Sequence, residues 1–255
     1  MAVRNIKLTV AYDGSEYHGW QIQPGKRTIQ GTLTEAIQNL IGCEVRVFGA
    51  SRTDAGVSAL GQVALVQIDS AIPVENLARA ITDRLPSDIA VAEAVEVAQD
   101  FDLIGAVKSK LYRYTIFTGR DRPVLQVRHC WHLPAKLDTT SMASAAKMLI
   151  GKKDFKSFAA AADKRETSVR TILRCNVTRP APQRSGARKD DWIYVDVEGD
   201  SFLYNMVRNI VGTLVEVGRG RWKHEKINEI LKAKDRTAAG PIAPAAGLCL
   251  MWVKY

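Results

Sequence analysis

The stretch GASRTDAGVSALGQV places one arginine, Arg52, and one aspartate, Asp54, between two segments of strand-like sequence. A carboxylate that lies near a guanidinium stays ionised and keeps its orientation. Such a carboxylate can act as a nucleophile, or it can stabilise a sugar cation that forms at a glycosidic carbon. The alternative is structural, because an aspartate in a turn often accepts hydrogen bonds from its own turn.

The segment around Asp54 contains no second acidic residue. Hydrolysis of a glycosidic bond by separate acid and base carboxylates needs a second one. A reaction that breaks and remakes a glycosidic bond suits a single carboxylate better. Hairpin loops usually have about 2–5 residues, so the long turn that we predict over residues 49–61 favours a functional loop.

The overall composition is that of a globular protein, with 46% hydrophobic and 25% charged residues among 255. No apolar run approaches the ~20 residues that a membrane helix needs, and we expect no signal peptide. The cysteines are far apart and form no CxxC pair, which argues against a structural zinc site and a disulfide framework. We therefore expect a cytoplasmic protein with no membrane partner.

Charge is distributed unevenly along the chain. Residues 1–104 contain 8 Lys/Arg and 13 Asp/Glu, a net charge of −5, whereas residues 105–255 contain 28 and 14, a net charge of +14. A polyanion would bind such a surface and release counterions. The alternative is a solvated basic face without a partner, and charge alone leaves both open.

The hydrophobic periodicity of the first half predicts the order strand, helix, strand, strand, helix, strand. Ile6, Leu8 and Val10 alternate with polar residues as in a strand, and Thr28 is a candidate N-cap for a helix with apolar residues at helical spacing. This order is typical of a ferredoxin-like unit. The remaining predicted elements lie near residues 44–48, 62–68, 73–85 and 89–97.

The second half shows a similar pattern. We predict strands near residues 111–118, 169–178, 192–199 and 248–255, and helices near residues 139–151, 202–218 and 223–234. Residues 179–191, rich in Pro, Gly and charge, indicate a mobile hairpin tip. The fold class that follows is α+β, with two ferredoxin-like halves whose antiparallel sheets join around a central catalytic cleft. The predicted domains are residues 1–104 and 105–255.

Several motifs in the same order resemble the tRNA pseudouridine synthase A (TruA-type) family. SRTDAGVSALGQV resembles its Arg-Thr-Asp-Ala-Gly-Val signature, and AYDGSEYHGWQIQ with TIQGTL resembles its opening segment. KLYRYTIF resembles its tyrosine-bearing strand, SFLYNMVRNIVGTL its Met-Val-Arg helix, and AAGLCLMWVKY its closing strand. The resemblance runs nearly the full length of the chain.

The resemblance implies roles for particular residues. Asp54 is then the catalytic carboxylate, Tyr112 stacks on the uracil and takes or relays its C5 proton, and Arg208 pairs with Asp54. Arg52 and Gln21 are then RNA-binding residues, Arg52 filling the gap left by the flipped base. Without the resemblance, Tyr112 is equally an aromatic residue that packs the sheet, Arg208 is solvated, and Arg52 forms an ion pair within its turn. No metal and no cofactor are implied, and the chain contains no Walker-type phosphate loop.

The implied reaction is isomerisation of uridine to pseudouridine at positions 38, 39 and 40 of the tRNA anticodon stem-loop, by a homodimer. The chain departs from the family pattern at Ser58, where histidine is usual, and at residues 102–105, where a basic contact is lost. That loss allows an alternative: a catalytically inactive tRNA-binding protein or RNA chaperone. A third hypothesis, an N-glycosidase, would need a second carboxylate and a path for water.

Overall fold

The computed structural model describes residues 3–163, 165–179 and 191–255, and the chain divides into two compact units. The first unit is Met1–Lys108 with Cys249–Tyr255, and the second is Ser109–Leu248. The last strand of the chain therefore belongs almost wholly to the first unit. Of the mobile hairpin tip predicted over residues 179–191, residues 180–190 lie outside the described residues.

The first unit has the predicted order of elements and an α+β composition. Its elements are β1 (Arg4–Tyr12), α1 (Ile29–Ile41), β2 (Val47–Gly49), β3 (Ser58–Ile68), α2 (Val74–Thr82), β4 (Ile89–Val97) and, from the end of the chain, β10 (Leu248–Lys254). Strand β1 lies between β4 and β3 and is antiparallel to both. Strand β2 pairs antiparallel with β3, while β10 pairs with the start of β3 in parallel.

The apolar residues predicted for one face of β1 form the core of this unit. Ile6, Leu8 and Val10 are fully buried, as expected from their alternation with polar residues. Helix α1 begins after Thr28, whose hydroxyl accepts a hydrogen bond from the backbone N–H of Gly31, which confirms the predicted N-cap. It ends at Gly42, whose φ of 75° only glycine adopts readily.

The second unit is also α+β and mainly antiparallel. Its elements are β5 (Ser109–Phe117), β6 (Trp131–His132), α3 (Thr139–Lys147), β7 (Gly151–Asp154), β8 (Val169–Thr178), β9 (Trp192–Gly199), α4 (Met206–Gly218) and α5 (Lys226–Ala233). The strands lie in the order β5-β9-β8-β7, and the short β6 pairs in parallel with β5. The sequence pattern did not predict β6 or β7.

Helix α4 is the most buried helix among the described residues. Every one of its residues except Arg208 is buried. It begins at Met206 rather than near residue 202 as predicted, because Asn205 has a positive φ of 61°. Its buried amide at Asn209 donates to the carbonyl of Phe158, and Arg236 donates to the amide oxygen of Asn209. These bonds satisfy the polar group inside an otherwise apolar core.

The described part of the chain contains no helix that is long and apolar enough to cross a membrane. It also contains no group of three or more His, Cys, Asp or Glu side chains placed to hold a metal ion. None of the four cysteines, all of which lie in the described part of the chain, forms a disulfide. Burial raises the pKa of the Cys130 thiol to about 11 and that of Cys175 to about 12, so both stay protonated near neutral pH.

Candidate active site

Asp54 lies in the connection between β2 and β3, residues 50–57, here called the Asp54 loop. The loop is shorter than the turn predicted over residues 49–61, because β3 already begins at Ser58. Gly61, which suggested a turn, lies within the strand instead. A Cβ at Gly61 would lie 2.6 Å from the carbonyl oxygen of Met251, so this glycine permits close approach of the backbone of β10.

The start of the Asp54 loop is fixed by a buried glutamine. The side-chain oxygen of Gln62 accepts hydrogen bonds from the backbone N–H groups of Ser51 and Val63, at 3.2 and 3.1 Å. Its side-chain nitrogen donates to the carbonyl of Ser51 at 2.7 Å. Gln62 is fully buried, so these bonds form without competition from water.

The residue before Asp54 is held on two sides. The hydroxyl groups of Thr53 and Tyr12 lie 2.8 Å apart within a hydrogen bond, and the backbone N–H of Trp20 donates to the carbonyl of Thr53 at 3.0 Å. Gly19 makes this approach possible, since its φ is +88° and a Cβ there would lie 2.6 Å from the carbonyl oxygen of Thr53. Thr53 is therefore fixed both through its hydroxyl and through its backbone.

The residues after Asp54 are also tied down. The carbonyl of Asp54 accepts a hydrogen bond from the N–H of Val57 at 3.1 Å, and the N–H of Gly56 donates to the carbonyl of Tyr17 at 3.2 Å. A Cβ at Gly14 would clash with the carbonyl of Val57, so this end of the loop also packs directly against neighbouring backbone. The backbone on both sides of Asp54 is thus fixed by neutral hydrogen bonds and close contacts.

The segment that carries Gly19 and Trp20 is itself anchored. The phenol of Tyr17 donates to the carboxylate of Asp88 at 2.7 Å, and Arg27 lies over its ring and donates to its oxygen. Burial, and then the Asp88 carboxylate, raise the pKa of Tyr17, which keeps the phenol protonated as the donor. This network supports the backbone that in turn holds Thr53.

The three predicted site residues of the first unit lie on adjoining segments. Asp54 is half-buried and Arg52 is exposed within the same loop. Gln21 is exposed and follows Trp20, which binds the loop; its side-chain nitrogen donates to the amide oxygen of Gln30 at 2.8 Å. The first unit therefore brings Asp54, Arg52 and Gln21 onto backbone segments that hydrogen-bond to each other.

The departure at residues 102–105 has a structural role that the sequence did not reveal. Leu103 is buried against Ala50 and Val63, at the start of the Asp54 loop. The carbonyl of Leu103 accepts a hydrogen bond from the phenol of Tyr255 at 2.9 Å. The carboxylate of Asp102 accepts a hydrogen bond from the backbone N–H of Gly105. Leu103 thus gives apolar support to the loop. The contact joins residues far apart in sequence, so local patterning gives no signal for it.

The two tyrosines of β5, Tyr112 and Tyr114, are two residues apart and lie on one face of the strand. Tyr112 is buried and packs edge-on against Phe202, with ring centroids 5.3 Å apart. Tyr114 is fully buried, and its phenol donates to the carbonyl of Pro244 at 2.7 Å. Burial raises the pKa of Tyr114, which keeps that phenol protonated.

Arg208 is half-buried rather than solvated. Its Nε donates to the carbonyl of Ala243 at 2.9 Å, and one terminal nitrogen lies 3.1 Å from the amide oxygen of Asn205. The backbone N–H of Ala243 donates to the carbonyl of Arg208 in return. The Arg208 charge acts to lower the pKa of Tyr114, which places the guanidinium near the face of β5 that carries both tyrosines.

A third side chain on this face of β5 was not singled out from the sequence. Lys110 precedes Tyr112 by two residues, which places both on the same side of the strand. Burial, and then the like charge of Arg165, lower the pKa of Lys110 to about 8. The two-residue spacing is the only sequence signal that could have indicated it.

The comparisons with known proteins identify the family of this chain. Residues 8–104 and 145–255 match the protein family described as tRNA pseudouridine synthase. tRNA pseudouridine synthase A of Moorella thermoacetica is 46% identical over 252 residues, 98% of this chain and 99% of that protein. The enzyme of the same name from Acetivibrio thermocellus is 42% identical over 253 residues, 99% of this chain and 100% of that protein.

A chain in the crystal structure of a Cbf5-Nop10-Gar1 complex is similar at 14% identity and a TM-score of 0.33, covering 92% of this chain and 69% of that one, which is too weak to define the fold. The family match and the relatives are sufficient without it. This chain belongs to the tRNA pseudouridine synthase family, whose members are isomerases that convert uridine to pseudouridine in tRNA.

Proposed function

We propose that this protein isomerises uridine to pseudouridine at positions 38, 39 and 40 of the tRNA anticodon stem-loop, with Asp54 as its catalytic carboxylate. The observation that carries the proposal is the fixation of the Asp54 loop. Backbone on both sides of Asp54 is held by hydrogen bonds from buried or partly buried groups. A carboxylate on a fixed backbone already has the position that the transition state requires. No free energy is then spent on reorganising it, which lowers the activation barrier.

The reaction balances without a second substrate. The carboxylate of Asp54 attacks the ribose C1′, or supports the cation there, while the bond from C1′ to N1 of uracil breaks. The detached base turns and C5 bonds to C1′, which breaks the bond from C1′ to the Asp54 carboxylate where that bond has formed. The C5 proton is removed while N1 gains a proton. Nothing is added to or lost from the RNA, so one carboxylate and one proton relay are sufficient.

We assign the remaining roles to residues of both units. Tyr112 stacks on the extruded uracil and takes or relays the C5 proton. Arg208, oriented by the carbonyl of Ala243, forms the ion pair that keeps Asp54 charged. Arg52, exposed on the Asp54 loop, fills the space left by the flipped base and contacts the phosphate backbone, and Gln21 contacts the RNA beside it.

The positive charge of the second unit supports tRNA as the partner. Residues 109–248 contain 26 Lys/Arg and 14 Asp/Glu, a net charge of +12. Unstacking a base costs a few kcal/mol, and phosphate contacts offset that cost. RNA is recognised here mainly by backbone and shape, which suits an enzyme that acts on neighbouring uridines. We further propose that the enzyme works in the cytoplasm as a homodimer.

The test is to incubate the purified protein, without added cofactor, with a tRNA transcript that carries uridine at positions 38, 39 and 40. Pseudouridine is then mapped at single-nucleotide resolution, and a transcript with cytidine at the three positions serves as the control. We expect pseudouridine only in the first transcript. Conversion elsewhere would contradict the proposed positions. Release of free uracil would indicate a glycosidase, and binding without conversion would indicate an RNA chaperone.

A further inference from the structure

A cavity of about 800 Å³ lies in the second unit, where the start of α3 meets the end of α4 and the connection to α5. We call it the Trp222 pocket; its wall includes Lys136, Asp138, Arg219, Trp222, Lys223 and His224. Arg208 lies ten residues before Gly218, at the opposite end of α4, which is about 15 Å along a helix. The pocket is therefore separate from the candidate active-site residues of this unit.

Two cations on the rim of the pocket are available to a ligand. Lys136 and Lys223 are exposed, and neither takes part in an ion pair among the described residues. Arg219 also contributes to the wall, but its guanidinium is held at 3.1 Å by the buried carboxylate of Glu216. That same carboxylate binds Arg221 at 2.9 Å, so the turn after α4 is rigid.

The acidic groups of the pocket are already engaged. Asp138 caps α3: its carboxylate accepts hydrogen bonds from the hydroxyl and backbone N–H of Ser141 and from the N–H of Thr140, and these bonds lower its pKa. Glu225 lies 3.2 Å from His224. Among the lining residues three cationic side chains, those of Lys136, Arg219 and Lys223, still exceed the two carboxylates by one charge, which favours a ligand that carries negative charge.

The pocket also offers an aromatic surface. Trp222 is half-buried, so part of its indole ring faces the cavity. An aromatic ring beside cations is the arrangement that binds a single-stranded nucleotide, because the base stacks on the ring and the phosphate meets the cations. Gly220, which also lines the pocket, has a φ of +73° and no neighbouring atom within 4 Å of where a Cβ would lie, so the space beside it is open.

We propose that the Trp222 pocket binds one unpaired nucleotide of the tRNA outside the anticodon stem-loop. The base lies against Trp222, and its phosphate lies near Lys136 and Lys223. The inference rests on the proposed function in one respect, namely that tRNA is the partner. A segment of RNA fits better than a free nucleotide, since the rim cations are exposed and the whole unit is strongly basic.

The test compares two substrates: a full-length tRNA transcript and a minimal anticodon stem-loop with the same target uridines. The double variant Lys136→Glu/Lys223→Glu is expected to raise KM for full-length tRNA about 10-fold or more, because two phosphate contacts become repulsive. Its KM for the stem-loop and its kcat on both substrates should stay within about 2-fold. The control is Lys147→Glu/Lys232→Glu, which makes the same change of charge at exposed sites of this unit.

The tryptophan is tested on its own. Trp222→Ala should raise KM for full-length tRNA, whereas Trp222→Phe, which keeps an aromatic ring, should restore most of the loss. If Trp222→Ala unfolds the protein, the exposed lysine pair still decides the question. Circular dichroism of each variant separates loss of folding from loss of a contact.

Four results would overturn the inference. The first three concern KM: no change with the lysine variant, an equal change on full-length tRNA and on the stem-loop, or an equal change with the control variant. The fourth is that binding of uridine monophosphate requires Trp222 whereas binding of tRNA does not. Failure of the proposed function is a different result, because the unaltered protein would then form no pseudouridine in either substrate.

Discussion

The segments around Asp54 and Arg208 are held in different ways. The Asp54 loop is fixed by neutral groups: the amide of Gln62, the hydroxyls of Tyr12 and Thr53, and backbone that approaches closely at Gly19. Arg208 is a charged side chain at the start of a buried helix, oriented by a backbone carbonyl. One region is rigid through close packing, whereas the other positions a charge.

The two units also differ in net charge. The first unit, residues 1–108 with 249–255, contains 10 Lys/Arg and 13 Asp/Glu, a net charge of −3, against +12 for the second. We propose that packing in the first unit fixes the position of Asp54, and that the surface cations of the second unit supply most of the attraction for RNA. Changes to packing around Asp54 should then lower kcat, and changes to surface cations of the second unit, away from Arg208, should raise KM.

Among changes that leave the proposed catalytic residues in place, the largest effect is expected from Gly19→Ala. The new methyl group would lie 2.6 Å from the carbonyl of Thr53, so the Asp54 loop must shift. A displacement of about 1 Å at a reacting group can cost about 100-fold in rate, and we expect a loss of kcat of that size. The control is Gly25→Ala, where φ is also positive, at +67°, but no atom lies within 4 Å. Equal losses in both variants would show that backbone strain, not loop position, controls the rate.

Salt should affect the two regions separately. Between about 50 and 200 mM salt we expect KM for tRNA to rise at least 10-fold. The reason is that the counterion release that drives binding of the second unit's cations to phosphates weakens as salt rises. The value of kcat should change by less than about 2-fold, since the bonds that hold the Asp54 loop are neutral. Steady-state kinetics over a salt series give both values. A parallel fall of kcat would contradict this separation of roles.

Gln62→Leu should destabilise the first unit. It leaves the backbone N–H and carbonyl of Ser51 without their buried partner, at an expected cost of about 2–3 kcal/mol in the free energy of unfolding. The value of kcat should also fall, because the start of the Asp54 loop is released. Gln67→Leu, an exposed glutamine on the same strand, should change stability by less than about 0.5 kcal/mol. Denaturant unfolding of the three proteins measures the difference.

The smallest effect concerns Lys110 in the second unit, whose pKa of about 8 lies below the value of about 10.4 for a free lysine. Between these pH values the unfolded chain binds a proton that the folded chain does not. The free energy of unfolding of the unaltered protein should therefore rise with pH, relative to that of Lys110→Met, by about 1–2 kcal/mol.

Urea unfolding of both proteins from pH 7.5 to 10 tests the Lys110 prediction. Groups with raised pKa values, such as Tyr114 and Cys175, are present in both proteins, and their contribution cancels in the difference. A difference that does not change with pH would show that Lys110 stays charged in the folded protein.

Sequence periodicity is enough to predict most of the fold. The structure confirms the strand predicted from the alternation in β1 and the helix predicted from the spacing in α1, because each element buries one regular face. The strands β6 and β7 have two and four residues, too few to show a period. Gly61 was misread as part of a turn, because a glycine that admits a neighbouring strand looks the same in sequence.

The site was only partly predictable. Asp54 and Arg52 could be singled out by charge and spacing, whereas Tyr112, Arg208 and Gln21 depended on resemblance to a family. The supports of the Asp54 loop were missed. Tyr12 and Thr53 are 41 residues apart in the chain, and Leu103 meets Ala50 over a longer distance still. Such contacts arise from tertiary packing, which a local pattern does not contain.

The most direct test of the central claim is single-turnover conversion by Asp54→Asn at saturating tRNA, with Asp100→Asn, an exposed aspartate of the same unit, as the control. The amide keeps the size of the side chain and removes its charge and nucleophilicity. We predict a loss of rate of at least about 10³-fold, with tRNA binding within a few-fold of the unaltered protein. Conversion by Asp54→Asn at a rate close to that of Asp100→Asn would contradict the assignment of Asp54.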